Sequence, residues 1–91
     1  MRTASVMHEQ PKRRFYLLIC EAATGIVLMQ DCMTYFQNLT GTTAVPYIEV
    51  DVNDEEAARR RATGILIMYP KVEVTIYDEH MRYITTLPTA D

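Results

Sequence analysis

The sequence predicts a single α/β domain in which a mixed four-stranded sheet carries two helices, in the order strand, helix, strand, helix, strand, strand. Three observations support this fold class. A chain of 91 residues, 48% apolar and 23% charged, has the size and composition of one globular domain. Apolar residues recur at helical spacing in two segments, and they alternate or run continuously in the strand segments. A short polar turn separates the last two strands, which favours an antiparallel hairpin. We expect the domain to span residues 14–91, after a flexible tail at residues 1–13.

The first strand and the first helix are predicted from a change of pattern. Residues 15–20 form a continuous apolar run of strand length, which indicates a central strand covered on both faces. From residue 24 to residue 39 the apolar side chains fall on one side of a helix, and Gly41 supplies its C-terminal stop. That side consists of Leu28, Cys32, Tyr35, Phe36 and Leu39. A helix between two strands predicts a right-handed crossover, so we expect the second strand to run parallel to the first.

The second strand and the second helix have the clearest local signals. Residues 46–52 alternate between apolar and polar side chains, as in a half-exposed edge strand. Asn53 is predicted to cap a helix with acidic residues in its first turn, including Glu56 at the capping-box distance. Residues 59–61 are three arginines, which suit the last helical turn before Gly64.

The C-terminal third predicts a hairpin. Residues 65–69 are interpreted as an apolar linker that Pro70 closes. Residues 71–78 alternate strictly, and a polar turn at residues 78–80 leads into a last strand at residues 81–87. The remaining residues are too few for another element, so we expect no C-terminal helix.

Charge and hydropathy exclude several classes of partner. Residues 15–58 contain seven acidic and no basic side chains, which disfavours nucleic-acid binding by the folded domain. The basic trio at residues 12–14 is better explained as a solvated lead-in to the first strand than as a phosphate-binding arm. No apolar run is long enough to cross a bilayer, so we expect a cytoplasmic protein that does not bind membranes.

Few residues are available for catalysis or for metal binding. The two cysteines, Cys20 and Cys32, are twelve residues apart and the two histidines, His8 and His80, are distant from both, so no metal site is expected. Neither histidine has an evident nucleophilic partner, and the isolated glycines form no phosphate-binding loop. No cofactor is therefore expected.

The order of elements, with an apolar linker and a proline before the third strand, resembles the thioredoxin and glutaredoxin superfamily over about residues 14–87. The resemblance implies that residues 15–20 lead into an active-site helix and that Pro70 opens the third strand with a cis peptide bond. It also implies a redox centre at the start of the first helix, where glutaredoxins carry Cys-Pro-Tyr-Cys. This chain has Gly25-Ile26-Val27-Leu28 at that place, so it lacks the active-site pair.

The resemblance and its missing cysteines together predict a redox-inactive protein-interaction module. We expect it to bind a protein or an extended peptide beside the proline loop, through Ile26, Val27, Met68, Tyr69 and Pro70. The alternative is a glutaredoxin-like oxidoreductase that uses the single thiol of Cys20, with glutathione as its co-substrate, while Cys32 is buried and inert. A clock-type partner similar to thioredoxin-like circadian proteins is a third possibility. A homodimer through the edge strand at residues 81–87 or through an uncovered sheet face also remains open.

Overall fold

The computed structural model describes residues 12–37, 41 and 44–89, and within them it shows an antiparallel four-stranded sheet with one helix. The elements are β1 (Arg13–Glu21), β2 (Ile48–Val52), α1 (Glu55–Met68), β3 (Val72–Tyr77) and β4 (Tyr83–Leu87). Across the sheet the strands lie in the order β2-β1-β3-β4, and every neighbouring pair is antiparallel. The expected mixed sheet and the thioredoxin-like order strand, helix, strand, helix, strand, strand are therefore wrong. The expected tail falls largely on residues 1–11, which lie outside the described residues.

The helix expected at residues 24–39 is replaced by two short antiparallel pairings. Cys20 forms a β-bridge with Val27, and Leu28 forms a second one with Tyr35. The reason lies partly in Asp31, whose carboxylate accepts hydrogen bonds from the N–H groups of Met33 (2.9 Å) and Thr34 (2.8 Å) and from the Thr34 hydroxyl (2.6 Å).

Such side-chain bonds offer the backbone an alternative to helical hydrogen bonding. Gly25 (φ 75°) and Cys32 (φ 65°) lie in the left-handed region, which a right-handed helix does not contain. Residues 38–40 of the expected helix lie outside the described part of the chain.

The change in the first connection also reverses the direction of β2. A parallel neighbour of β1 needs a crossover, whereas here the chain folds back beside β1 and returns antiparallel to it. Arg13 is opposite Val52, and Leu17 is opposite Ile48. The expected edge strand is present, with Val50 buried and the side chains of Glu49 and Asp51 exposed.

The helix α1 begins one residue later than the sequence pattern suggested, and it continues past the expected end before Gly64. Its N-cap is Asp54 and not Asn53, and the Asp54 carboxylate accepts a hydrogen bond from the Ala57 N–H (2.9 Å). The helix passes through Gly64 and ends at Met68, so residues 65–68 are helical and not a linker. No helix in the described ranges is long and apolar enough to cross a membrane.

The continuation of α1 follows from its apolar stripe. Ala58 and Ala62 are fully buried against the sheet, and Ile65, Leu66 and Tyr69 extend the same stripe and pack on the core. The packing of α1 is most extensive against β3. The stripe therefore stabilises a further helical turn beyond the glycine.

Among the described residues, α1 covers one face of the sheet and no helix or strand covers the other. The helix face, which α1 covers, carries the buried side chains Phe15, Leu17, Ile19, Val50, Val72, Val74 and Ile76. The opposite face, here called the tyrosine face, carries Tyr16, Tyr47, Tyr77 and Tyr83 in adjoining positions. Leu18 and Cys20 also lie on the tyrosine face, because successive strand residues alternate between faces.

Two of the three basic residues at the start of β1 form salt bridges with acidic side chains. Arg13 forms a salt bridge with Glu79 (3.0 Å), and Arg14 forms one with Asp51 (3.0 Å) and a longer one with Glu49 (3.4 Å). These pairs are exposed and individually contribute little to stability. Both arginines therefore belong to the sheet surface, in agreement with the interpretation as a lead-in to the first strand.

Candidate functional site

The end of α1 forms a groove with Met68 and Tyr69 at its centre. These two side chains separate two adjoining hollows of about 230 and 310 Å³. The first hollow is completed by Cys32, Pro70, Lys71 and Val72, and the second by Arg60, Arg61, Gly64 and Ile65. The whole depression, here called the Met68 groove, is an open apolar surface with basic side chains at its edges.

The end of the helix and the turn that follows it position the two central residues. The Tyr69 N–H donates to the Ile65 carbonyl (2.8 Å), and the Val72 N–H donates to the Tyr69 carbonyl (3.2 Å). Tyr69 packs partly on the core, whereas the side chain of Met68 is 71% exposed. Tyr69 is thus fixed by its neighbours, and Met68 has room to change rotamer and to adapt to a bound surface.

Cys32 forms a buried wall of the first hollow. The turn at Asp31 brings it there, and its Sγ lies 3.9 Å from the Gln30 carbonyl oxygen. Because this side chain is only 8% exposed, it contributes shape and apolar surface.

The electrostatics of the Met68 groove are positive. Arg60 is 3.5 Å from Glu56, whereas Arg61 and Lys71 have no acidic side chain within 4 Å among the described residues. Neither hollow is lined by a carboxylate in the described part of the chain. The groove therefore combines apolar contact area with charge that attracts anionic groups.

The structure brings together three of the five residues that were expected to bind a partner. Met68, Tyr69 and Pro70 line one hollow. Ile26 is 39% exposed, and its carbonyl accepts a hydrogen bond from the Glu21 N–H (2.8 Å). Ile26 therefore lies along one edge of β1, whereas β3 pairs with the opposite edge. No lining residue connects it to the groove.

The other two corrections concern Val27 and the proline. Val27 is directly opposite Cys20, and directly opposed residues of an antiparallel pair share a face, so Val27 lies on the tyrosine face. The cis bond expected at Pro70 is wrong, since the cis peptide bond found in the described ranges is Leu87–Pro88.

Neither thiol has the environment of a reactive cysteine. Burial raises the pKa of the Cys20 thiol, and the nearby Glu73 carboxylate raises it further. Burial and the Asp31 carboxylate likewise raise the pKa of the Cys32 thiol. A nucleophilic cysteine needs a lowered pKa, so both sites favour the protonated, unreactive form. The two cysteines are not bonded to each other.

Sequence reasoning missed the basic edge of the groove. Arg60 and Arg61 were placed in the last turn of the second helix, and Lys71 at the start of the third strand. The missed signal is the continuation of the helix past Gly64, which places residues 60, 61, 64 and 68 on one side of α1.

The described residues contain no group of His, Cys, Asp and Glu that could hold a metal ion. Comparison with protein-family models, with curated proteins and with solved structures found no match in any of the three.

Proposed function

We propose that this protein is a protein-interaction module whose Met68 groove binds a segment of a partner protein that carries an apolar anchor residue beside acidic residues. The observation that carries the proposal is the exposure of Met68, at 71%, beside a hollow that the buried residues Cys32 and Val72 help to line. The proposal retains the interaction expected at Met68, Tyr69 and Pro70, but it does not depend on a thioredoxin-like fold.

The apolar side chains at the end of α1 adjoin one another around the two hollows. Isolated apolar side chains are ordinary on protein surfaces, but a contiguous apolar surface around a concavity is typical of an interaction site. Met68 and Tyr69 are shared by both hollows, and Ile65, Pro70 and Val72 extend the apolar lining. A single anchor side chain of a partner fits a depression of this size better than a folded surface does.

The positive charges at the edges of the groove determine which kind of partner it binds. Arg61 and Lys71 flank the groove on its two sides and have no acidic partner among the described residues. A bound segment with carboxylates next to its anchor would pair with both cations, whereas a basic segment would be repelled. The chain's own acidic residues are mostly elsewhere, so the groove is a local exception to a net charge of −3.

The experiment compares two variants of adjacent helix residues. Ile67 is 76% exposed and lines neither hollow, so Ile67→Glu is a matched control for Met68→Glu. The probe is a short fluorescent peptide with one phenylalanine flanked by glutamates, and the readout is fluorescence anisotropy. Met68→Glu should weaken binding by about tenfold, because it removes apolar contact and adds a like charge, whereas Ile67→Glu should leave it unchanged.

Three outcomes count against the proposal. They are the absence of binding by the glutamate peptide, equal affinity for a peptide with lysines in place of the glutamates, and equal losses in the two variants. Circular dichroism of both variants controls for folding, since both substitutions are at exposed helical positions.

A further inference from the structure

The sulfur atom at the centre of the Met68 groove is open to solvent. Met68 is 71% exposed and Met33 is 69% exposed, whereas Met81 and Met29, the other two methionines of the described ranges, are 41% and 37% exposed. A thioether is oxidised to a sulfoxide where a dissolved oxidant can reach it. Met68 and Met33 are therefore the methionines most open to oxidation in the described part of the chain.

These two methionines differ in their surroundings. Met68 lines both hollows of the groove, beside Tyr69, whereas Met33 lies in the turn at Asp31 and lines neither hollow. A polar group at Met68 is thus placed where an apolar anchor would bind, and a polar group at Met33 is not. The chain therefore contains its own matched control for a modification of the groove.

The two cysteines are poorly placed to react with the same oxidant. Peroxides attack the thiolate, and burial together with an acidic neighbour raises the pKa of both Cys20 and Cys32. Cys32 forms a wall of the first hollow but is only 8% exposed. Among the described residues, the most accessible sulfur at the groove is therefore that of a methionine.

Oxidation of Met68 changes the surface without removing a part of the core. Met68 is the last residue of α1, and the side of this helix end that packs on the core consists of Ile65, Leu66 and Tyr69. The Tyr69 N–H also holds the end of the helix through its bond to the Ile65 carbonyl. The Met68 side chain takes no part in these contacts, so the groove keeps its shape when the sulfur gains an oxygen.

We propose that a peroxide switches off binding at the Met68 groove by oxidising Met68 to its sulfoxide, and that reduction of the sulfoxide restores binding. This regulation rests on the proposed function of the groove as a binding site for a partner segment. The O–O bond of hydrogen peroxide breaks, one oxygen forms a bond to the Met68 sulfur, which loses two electrons, and the other oxygen leaves as water. In the reverse step a dithiol, with methionine sulfoxide reductase as the catalyst, is oxidised to a disulfide while the sulfoxide oxygen leaves as water.

The sulfoxide weakens both kinds of contact that the groove offers. It is polar, so its burial under an apolar anchor costs free energy that burial of the thioether does not. Its oxygen accepts hydrogen bonds, and Arg60 and Arg61, which line the same hollow, can donate to it instead of to the partner's carboxylates. We expect the affinity to fall by about fivefold, less than in Met68→Glu, because the sulfoxide adds polarity but no charge.

The test measures oxidation and binding in the same samples. The protein is treated with hydrogen peroxide, the peroxide is removed with catalase, and mass spectrometry of proteolytic fragments gives the sulfoxide fraction at each methionine. Binding of the fluorescent peptide with one phenylalanine flanked by glutamates is measured by anisotropy. Met68 should be oxidised about twofold faster than Met29 and Met81, in proportion to its exposure, and the affinity should fall as the Met68 sulfoxide forms. Methionine sulfoxide reductases A and B with dithiothreitol should restore the affinity.

Two leucine variants assign the effect to one sulfur, and each is compared with itself before and after oxidation. Met33→Leu should lose about fivefold in affinity on oxidation, as the unmodified protein does, whereas the affinity of Met68→Leu should stay at its own starting value. The switch is overturned by undiminished binding when Met68 is oxidised, by a similar loss in Met68→Leu, by a loss that the reductases fail to restore, or by slower oxidation of Met68 than of Met29. Failure of the untreated protein to bind the peptide instead overturns the proposed function, and the switch with it.

Discussion

Two adjacent leucines of β1 should differ sharply in their contribution to stability. Leu17 is 1% exposed beneath α1, whereas Leu18 is half-buried on the tyrosine face. Leu17→Ala removes a fully buried side chain and leaves a cavity, which costs about 3 kcal/mol. Leu18→Ala removes a side chain that water already reaches in part, which costs about 1 kcal/mol. For a domain of this size the first loss lowers the melting temperature by roughly 12 to 24 °C and the second by roughly 4 to 8 °C.

The assay is thermal and guanidinium unfolding followed by circular dichroism. Because both substitutions are the same and lie in one strand, differences in strand propensity between Leu and Ala cancel. Equal losses at the two positions would refute the one-sided cover that the described residues show.

Two further predictions follow from the pKa shifts. The hydroxyl and N–H of Thr34, together with the Met33 N–H, hold the pKa of Asp31 below its ordinary 3.8. These hydrogen bonds therefore stabilise the fold above pH 3.8, and their contribution is lost as the pH falls through the lowered pKa. Unfolding between pH 2 and pH 6 should therefore show a shallower acid limb for Asp31→Ala than for the unmodified protein, and identical limbs would contradict the role of this turn. Burial and Glu73 raise the pKa of Cys20, so iodoacetamide at pH 8 should alkylate Cys20 more slowly than free cysteine. Alkylation of Cys20 should be faster in Glu73→Gln than in the unmodified protein. Alkylation as rapid as that of a low-pKa thiol would instead support a reactive Cys20.

Periodicity predicted the regular elements well because each of them meets the core along one side. The alternation at residues 72–77 places Val72, Val74 and Ile76 against the helix, as the sequence indicated. The salt bridges from Glu55 to Arg59 (2.9 Å) and from Glu56 to Arg60 (3.5 Å) are also those expected from residues four apart in a helix. Where burial is one-sided and local, the sequence pattern is enough.

The segment at residues 24–37 could not be predicted in the same way. Leu28, Cys32 and Tyr35 satisfy a helical spacing, yet Leu28 and Tyr35 are paired across two short extended segments. A few apolar residues are compatible with both a helical and an extended periodicity. Here the carboxylate of Asp31 favours the turn, because it accepts hydrogen bonds from nearby backbone N–H groups. The direction of β2 depends on whether this segment is a helix or a turn, so one wrongly predicted element changed the predicted topology of the whole sheet.

The candidate site was predicted only in part for a related reason. Met68, Tyr69 and Pro70 were identified because they are apolar and flank a proline, but their cationic neighbours could be placed beside them only once α1 was known to pass Gly64. An apolar cluster alone does not say what it binds. Arg61 and Lys71 add positive charge at its edges, and on that charge rests our proposal that the groove selects anionic segments.

The clearest difference between sequence pattern and structure lies in β1. A strand that is apolar on both faces is typical of a sheet that is covered twice, yet among the described residues α1 covers only one face of it. Leu17 and Ile19 are fully buried beneath α1, whereas Tyr16 and Leu18 on the tyrosine face are half-buried. The sequence pattern therefore predicted the burial of the helix face and overestimated that of the tyrosine face.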